Sequence, residues 1–205
     1  MNTLSGTKET IFDAFLELAS AHGYDAINLR DIAKKVGASP TSLYNHFKNK
    51  DQLLEHAYGY YREHEYDNRK PIDEMKSLIE TASAEDCIRA FIYSFKSDDQ
   101  KKFVRMILIL KIIYMQLYQD SGANAIFAES HMNNTEYAAD ILKHGVEVGR
   151  IDPEFDIGAF VYILIGSAQV MGIRAFAKAD YVYGQLDQES SIVSMLARLL
   201  ATAMK

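Results

Sequence analysis

The sequence contains one cysteine, three prolines and no tryptophan. A single cysteine, Cys87, excludes an intramolecular disulfide and is typical of a protein from a reducing compartment. Its neighbours in the segment AEDCIRAF predict a buried position on a helix, which we favour over a reactive-thiol sensor. Because prolines are few and no regular alternation of strands and turns is visible, the chain is predicted to be all-α.

The sequence also lacks a clear targeting or membrane segment. Its first residues, MNTLSGTKET, have no apolar run of the kind found in signal peptides. Residues 103–118 are apolar but contain Arg105 and Lys111, and residues 157–173 are uncharged but fall short of the ~20 residues that a span needs. Both stretches are better explained as buried helices, and we expect a cytoplasmic protein.

Positive charge is concentrated in one segment, although the chain as a whole has a net charge of −6. Residues 28–50 contain a single acid, Asp31. Their basic residues are Arg30, Lys34, Lys35, Lys48 and Lys50. Because lysines and arginines neutralise phosphates, a local basic cluster in an acidic protein is typical of a DNA-binding module.

This basic segment begins with a predicted short helix. Asn28 is a strong N-cap, and Asp31 at the third helical position places negative charge near the positive end of the helix dipole. Gly37 ends the helix, because glycine accepts the left-handed conformation that follows many helices. One apolar stripe at helical spacing is predicted to face the core. It consists of Leu29, Ile32, Ala33 and Val36.

A second helix follows the turn at Gly37. Ser39 is its predicted cap, Pro40 occupies the first helical position, and Leu43 and Phe47 share the inward face. The other faces carry Thr41, Ser42, Tyr44, Asn45 and His46. Hydroxyl and amide groups on such a helix can hydrogen-bond base edges in the major groove, so the pair predicts a helix-turn-helix. The alternative for a bare helix pair is a solvated hairpin with ordinary surface charge.

The residues of this pair strongly resemble the N-terminal domain of the TetR-type transcriptional regulators, over roughly residues 7–60. The matching features are Ile32-Ala33, Gly37-Ala38-Ser39, Leu43-Tyr44-Asn45-His46-Phe47, Lys50 with Leu53-Leu54, and an upstream helix that ends at His22-Gly23-Tyr24. Two departures are Thr41, where many members have glycine, and Asn28, where many have threonine.

The resemblance implies roles for individual residues. Tyr44, His46 and the Lys50 ammonium would contact the DNA backbone, whereas Pro40, Thr41 and Asn45 would lie nearest the bases. Packing against the first helix is the alternative for Tyr44 and His46. The full predicted DNA-binding set is Asn28, Arg30, Lys34, Ser39, Pro40, Thr41, Ser42, Tyr44, Asn45, His46, Lys48 and Lys50.

The predicted organisation is a three-helix head, residues 1–50, and a helical effector-binding and dimerisation domain, residues 51–205. A helix of about residues 50–69 connects the two. Further helices are predicted near residues 72–81, 85–97, 100–119, 123–148, 155–178 and 188–204, which makes about nine helices in total. The helix near 100–119 is apolar on nearly all sides and is predicted to be central.

The last two helices have the pattern of an interface. The final helix carries an unbroken apolar stripe, and small residues such as Gly166 and Gly172 would allow close helix approach. In TetR-type proteins these two helices form a four-helix dimer interface. The predicted interface set is Gly166, Gly172, Ile192, Met195, Leu196, Leu199, Leu200 and Ala203. The alternative is that the same residues fill an intramolecular core.

By the same resemblance, the larger domain is expected to hold a small-molecule effector. Polar residues within apolar helices, with aromatic and methionine neighbours, are the candidates for an apolar or aromatic ligand. Each is more often structural than ligand-binding. The candidates are Tyr93, Met115, Gln116, Phe127, His131, Asn134, Tyr137 and Gln169.

Catalysis and metal binding find little support. No glycine-rich phosphate loop, G-x-S-x-G or H-E-x-x-H motif is present, and an exposed carboxylate–imidazole pair explains Asp140 and His144 better than a shared metal. We therefore expect no enzyme activity, cofactor or metal.

The sequence thus predicts a bacterial, cytoplasmic, homodimeric repressor that binds near-palindromic operator DNA and associates with the nucleoid when bound. One alternative is a DNA-binding regulator controlled by a protein partner. A helical enzyme or metal-binding bundle is less favoured.

Overall fold

The computed structural model describes residues 3–92, 99–177 and 188–205. These residues contain ten helices and no strand; one isolated bridge joins Ile151 and Met204. The predicted all-α fold is confirmed. The helices are α1 (Thr3–His22), α2 (Leu29–Val36), α3 (Pro40–Tyr44), α4 (Lys50–His64), α5 (Ile72–Thr81), α6 (Ala84–Ile92), α7 (Gln100–Gln116), α8 (Ser121–Glu147), α9 (Ile157–Ala177) and α10 (Gln188–Ala203).

The helices pack into two compact units. The first contains Met1–Asp67 and Ser97–Ala128, and the second contains Asn68–Lys96 and Glu129–Lys205. Helix α8 begins in the first unit and continues in the second. This division by packing differs from the predicted functional division at residue 50, which stays a prediction.

The core of the first unit forms around α1. Ile11, Phe15 and Ala19 of its apolar stripe are buried, as the helical spacing predicts. Helix α7 packs on α1 and α4 and buries Ile109, Ile112 and Ile113 in the same core. The predicted central position of the 100–119 helix is therefore found within this unit, where α7 supports the predicted head.

The connecting helix α4 begins where the sequence predicts but ends earlier. The side chain of Asn49 accepts a hydrogen bond from the backbone N–H of Gln52 at 2.9 Å and caps the helix at Lys50. The last helical residue is His64, and residues 65–69 form turns. Within these turns, His64 Nδ1 lies 2.8 Å from the Asp67 carboxylate.

The second unit has its own core. Helix α10 packs chiefly against α6, and Leu196 and Leu200 are buried there together with Ile88 and Cys87. The predicted buried position of Cys87 is confirmed. Burial raises the pKa of the Cys87 thiol to about 11, so the thiol is protonated at neutral pH and a poor nucleophile. This environment gives no support to a reactive-thiol sensor.

Within the described ranges, no helix combines the length and apolar character that crossing a membrane requires.

Candidate nucleic-acid interface

Helix α2 is held at both ends by side-chain and backbone caps. The Asn28 side chain accepts hydrogen bonds from the N–H groups of Arg30 at 2.8 Å and Asp31 at 3.2 Å. The Asp31 carboxylate accepts from the Asn28 N–H at 2.8 Å, which completes a capping box. Gly37 closes the helix with φ of +67°, in the left-handed region. These caps fix α2 in the turn that leads into α3.

Helix α3 is short and is followed by a turn. The Ser39 Oγ accepts a hydrogen bond from the Ser42 N–H at 3.2 Å, and Pro40 is the first helical residue. The helix ends at Tyr44, and the N–H groups of His46 and Phe47 both donate to the Leu43 carbonyl at 2.9 Å. Leu43 and Phe47 are buried, as predicted.

The outward face of α3 carries the residues that were predicted to meet DNA. Thr41, Tyr44 and Asn45 are exposed, and His46 is half-buried. Tyr44 is 55% exposed, which argues against the alternative in which it packs on α2. Hydroxyl, amide and imidazole groups are therefore presented together by α3 and the turn that follows it, as a major-groove contact requires.

Lys50, which is predicted to contact the DNA backbone, has partners within the chain. Its ammonium donates to the carbonyl oxygens of Tyr24 at 2.6 Å and Ile27 at 3.0 Å, and it lies 3.9 Å from the centre of the Tyr24 ring. The Tyr24 hydroxyl in turn donates to the Asp51 carboxylate. In this orientation Lys50 ties the α1–α2 loop to the start of α4 rather than pointing outward. The sequence placed Lys50 near the motif but held no information about these loop carbonyls.

Other basic side chains of the helix-turn-helix segment are also exposed. Arg30, Lys34 and Lys48 are exposed, whereas Lys35 forms an ion pair with Glu17 at 2.7 Å. Lys8, which is not among the predicted DNA-binding residues, lies on α1 with its ammonium 5.5 Å from the centre of the Phe47 ring. It adds a positive charge beside the turn that follows α3. In the sequence only the positive charge of Lys8 marks it as a candidate, because folding is what brings it close to Phe47.

A capped helix, a tight glycine turn and a second helix that exposes small polar residues among basic side chains define a helix-turn-helix protein that binds DNA. The family model described as "Bacterial regulatory proteins, tetR family" matches residues 11–57, which include these elements. The chain therefore carries a TetR-family DNA-binding domain over these residues. It is a DNA-binding transcriptional regulator, and this family is not one of enzymes.

Relatives resemble the chain beyond the helix-turn-helix. The HTH-type transcriptional regulator UidR of Escherichia coli (strain K12) is 23% identical over 197 residues, covering 96% of this chain and 94% of the relative. The biofilm operon icaADBC HTH-type negative transcriptional regulator IcaR of Staphylococcus aureus (strain Newman) is 30% identical over 103 residues, covering 50% and 53%.

A solved structure shows the same fold. The ketosteroid transcriptional regulator KstR2 of Mycobacterium tuberculosis aligns with a TM-score of 0.61 at 18% identity, covering 100% of this chain and 97% of that chain. At this identity the likeness concerns the fold alone.

The described members of the predicted effector-binding set fall in both units. Met115, Gln116 and Phe127 belong to the first unit, whereas the other four described candidates belong to the second. Tyr93 lies outside the described residues. The four candidates in the second unit are His131, Asn134, Tyr137 and Gln169.

The four candidates in the second unit already have hydrogen-bond partners. Gln169 Nε2 lies 3.1 Å from His131 Nδ1, and the Tyr137 hydroxyl donates to the Lys70 carbonyl at 2.7 Å. The Asn134 side-chain oxygen accepts from Arg69, whose guanidinium lies 4.5 Å from the centre of the Tyr137 ring. These contacts give each side chain a structural role in the second unit.

An open groove of about 670 Å³ lies elsewhere in the second unit. It contains none of the predicted effector-binding residues. Ser83, Ala84 and Glu85 form one side of it, and α10 forms the other. The α10 residues are Ser190, Ser191, Ser194, Ala197, Arg198 and Ala201.

The predicted interface set divides between core and surface. Leu196, Leu200 and Ala203 are buried within this chain, because that side of α10 packs on α6. This part of the prediction is corrected in favour of the intramolecular core. Met195 and Leu199 are exposed on the same helix, and Ile192 and Gly166 are half-buried. For Gly172 the structure describes only its place in α9.

The residues considered for a metal have other partners. Asp140 pairs with Lys143 at 3.6 Å, whereas His144 Nε2 lies 2.6 Å from the Glu80 carboxylate. Across the described part of the chain, no group of three potential metal ligands is found. Asp140 and His144 therefore belong to separate surface pairs.

Proposed function

We propose that the chain is a homodimeric repressor that places two copies of α3 in successive major grooves of a near-palindromic operator. The observation that carries this proposal is the exposure of Thr41, Tyr44 and Asn45 at α3, together with exposed Arg30 and Lys34 of the preceding helix segment. It acts in the cytoplasm, associated with the nucleoid through the operator.

The proposed DNA contacts fall into two kinds. Pro40, Thr41 and Asn45 lie nearest the bases, where the Asn45 amide can pair with a base edge. The side chains proposed to hold the phosphates are Arg30, Lys34, Tyr44, His46 and Lys48, with Lys8 as an addition. Asn28, Ser39 and Ser42 contribute mainly by fixing the two helices, because the side-chain oxygens of Asn28 and Ser39 already accept backbone hydrogen bonds. Lys50 supports the site through the loop that it ties.

The proposed dimer forms through the outer faces of α9 and α10. These helices expose Tyr162, Ile163 and Val170 of α9 and Met195 and Leu199 of α10, with Tyr162 76% exposed. Neighbouring exposed apolar residues are typical of an interaction surface. Two heads are needed because one head makes few base contacts, whereas a dimer can bind half-sites ~34–36 Å apart or at a multiple of that distance.

The proposal includes repression and release from DNA by a small effector. Repression is in line with the relative named as a negative regulator. An effector can release DNA only if it binds the released state more tightly than the DNA-bound state. Four predicted effector-binding side chains already form hydrogen bonds within the chain, namely His131, Asn134, Tyr137 and Gln169. Because these side chains are engaged within the fold, a second candidate function is a DNA-binding regulator controlled by a protein partner.

Binding to the DNA immediately upstream of the chain's own gene tests this proposal. The protein is titrated at two salt concentrations, and protected bases are mapped by footprinting. Protection of a near-palindrome at nanomolar protein, with random DNA bound far more weakly, is the expected result. Weak binding that the higher salt abolishes on every sequence would leave this region without an operator. Selection from random duplexes would then decide whether any preferred site exists.

A further inference from the structure

The side chain of Arg105 joins three helices of the first unit. It extends from α7 and forms a two-pronged ion pair with Asp13 of α1, with Nε 2.6 Å and Nη2 3.1 Å from the two carboxylate oxygens. Its guanidinium lies 5.7 Å from the ring centres of Phe12 on α1 and Tyr60 on α4. The paired geometry uses the planar fork of arginine, which a lysine cannot reproduce.

This ion pair is more buried than its neighbours. The Arg105 side chain is 13% exposed, whereas that of Lys101, which pairs with Glu9 and Asp13 of α1, is 59% exposed. Exposed ion pairs contribute little because water screens them, but a desolvated fork that also stacks on aromatic rings holds a defined geometry. Arg105 therefore adds a directional, partly buried contact to the apolar packing of α7 on α1.

The contacts continue from Arg105 to the recognition helix. Phe12, beside Arg105, packs edge-on against His56 of α4 with 4.6 Å between ring centres. His56 in turn lies 6.2 Å from the ring of Phe47, which is buried beneath the turn that ends α3. An unbroken series of side-chain contacts thus leads from α7 to the inner side of the DNA-binding face.

We infer that Arg105 is a positioning residue for DNA recognition. By holding α1 and α4 together, it keeps Phe12 and His56 in place under Phe47, and so sets the pose in which α3 enters the groove. Helix α7 is then part of the DNA-binding machinery, although none of its residues touches DNA. The inference rests on the DNA-binding function of the chain. Arg105 lies 92 positions from Asp13, its ion-pair partner, in the sequence.

A double-mutant cycle tests the inference with Asp13→Asn, Arg105→Gln and the double variant. The DNA is a duplex that the wild-type protein selects from a random library, and a scrambled duplex of equal length serves as the non-specific reference. Each single variant is expected to bind the selected duplex about threefold to thirtyfold more weakly, with a much smaller change on the scrambled duplex. The double variant is expected to lose no more than either single variant.

The two single substitutions change net charge in opposite directions. If Arg105 acted only as a positive charge that attracts DNA, Arg105→Gln would weaken binding and Asp13→Asn would strengthen it on both duplexes. Lys143→Gln provides a matched loss of one positive charge at an exposed pair within α8, and it is expected to leave sequence preference unchanged. Opposite effects, additive losses or equal losses on both duplexes would overturn the inference.

Thermal unfolding of each variant separates recognition from loss of fold. Arg105→Lys keeps the charge but not the fork, so it is expected to fold and to bind the selected duplex with intermediate affinity. Wild-type affinity in a folded Arg105→Lys or Asp13→Asn protein would contradict the positioning role. Failure of the wild-type protein itself to bind any duplex would instead refute DNA binding, which distinguishes the two failures.

Discussion

We expect side chains of α3 and of the neighbouring α2 to have separable effects on DNA binding. Asn45 is exposed at the end of α3, and Lys34 is exposed on α2. Removal of an amide that pairs with one base weakens binding only to sequences that contain that base. Removal of a lysine that contacts a phosphate weakens binding to all sequences. The division between Asn45 as a base contact and Lys34 as a phosphate contact is therefore measurable.

Asn45→Ala is expected to weaken binding to the selected operator by about 1–3 kcal/mol and to relax preference at one base-pair position. Lys34→Ala is expected to weaken binding to operator and random DNA alike. The slope of the log binding constant against the log salt concentration is expected to become shallower by the contribution of about one phosphate contact. Titrations of both variants at several salt concentrations measure these effects. An equal loss on both DNAs for Asn45→Ala would contradict its assignment to a base.

His56 gives the first unit a dependence on pH. The residue is exposed overall, but its ring packs against Phe12 and Phe47. Partial burial lowers its pKa, and the charges of Lys8 and Arg105 lower the pKa further, against the opposing effect of Glu63. A histidine with a lowered pKa is neutral in the fold, so its contribution to stability is complete above the unfolded pKa of ~6.5 and is lost as pH falls below it.

Denaturant unfolding at a series of pH values measures this contribution. The wild-type midpoint is expected to fall between pH 7 and pH 5 by more than that of His56→Gln, which cannot take up the proton. Parallel curves for the two proteins over that range would show that His56 is not responsible for the acid sensitivity.

At the scale of elements, short-range signals determine where α2, α3 and α4 begin. Asn28, Ser39 and Asn49 each accept a hydrogen bond from a backbone N–H in the first turn of the helix that follows. These caps satisfy N–H groups that have no partner inside the helix. The turn at Gly37 is equally local, because its φ of +67° is a conformation in which a Cβ is strained.

Gly37→Ala and Gly59→Ala form a matched pair of substitutions. Neither added Cβ would meet another atom within 4 Å, but Gly37 is left-handed and Gly59 lies within α4. Gly37→Ala is expected to destabilise the protein by about 1–2 kcal/mol, whereas Gly59→Ala is expected to stabilise it by about 0.5–1 kcal/mol. Chemical unfolding midpoints measure both, and a shift of the same sign would show that backbone conformation does not control the turn.

At the scale of the whole molecule, the two sides of α10 have different tasks. One side contributes Leu196 and Leu200 to the core, and the other exposes Met195 and Leu199. The outer side is available to a second copy of the chain, and the inner side is not. The proposal of a homodimer therefore depends on a smaller set of residues than the sequence pattern indicates.

Leu199→Glu is expected to weaken the dimer without unfolding the chain, because it adds a charge at a position that is 41% exposed in the monomer. Leu200→Ala is its matched control on the inner side and is expected to lower the free energy of unfolding by about 2–5 kcal/mol. Sedimentation and denaturant unfolding separate the two effects. A Leu199→Glu protein with an unchanged dimer dissociation constant would place the interface elsewhere.

The amino-acid sequence by itself determined the all-helical class, the helix-turn-helix and the caps of α2 and α3. These features depend on residues within a few positions of one another, such as Asn28 with Asp31 or Ser39 with Ser42. Periodic apolar residues also located the long helices, although not the end of α4 at His64.

Only the tertiary structure decided which neighbours those helices have. The sequence showed Lys50, Arg105 and Leu196 as a basic motif residue, a charge within an apolar helix and one member of an apolar stripe. Folding turned Lys50 toward the loop carbonyls of Tyr24 and Ile27, paired Arg105 with Asp13, and buried Leu196 against α6. The reason is physical: burial and pairing depend on groups that are distant in sequence, whereas periodicity and capping depend on the local chain.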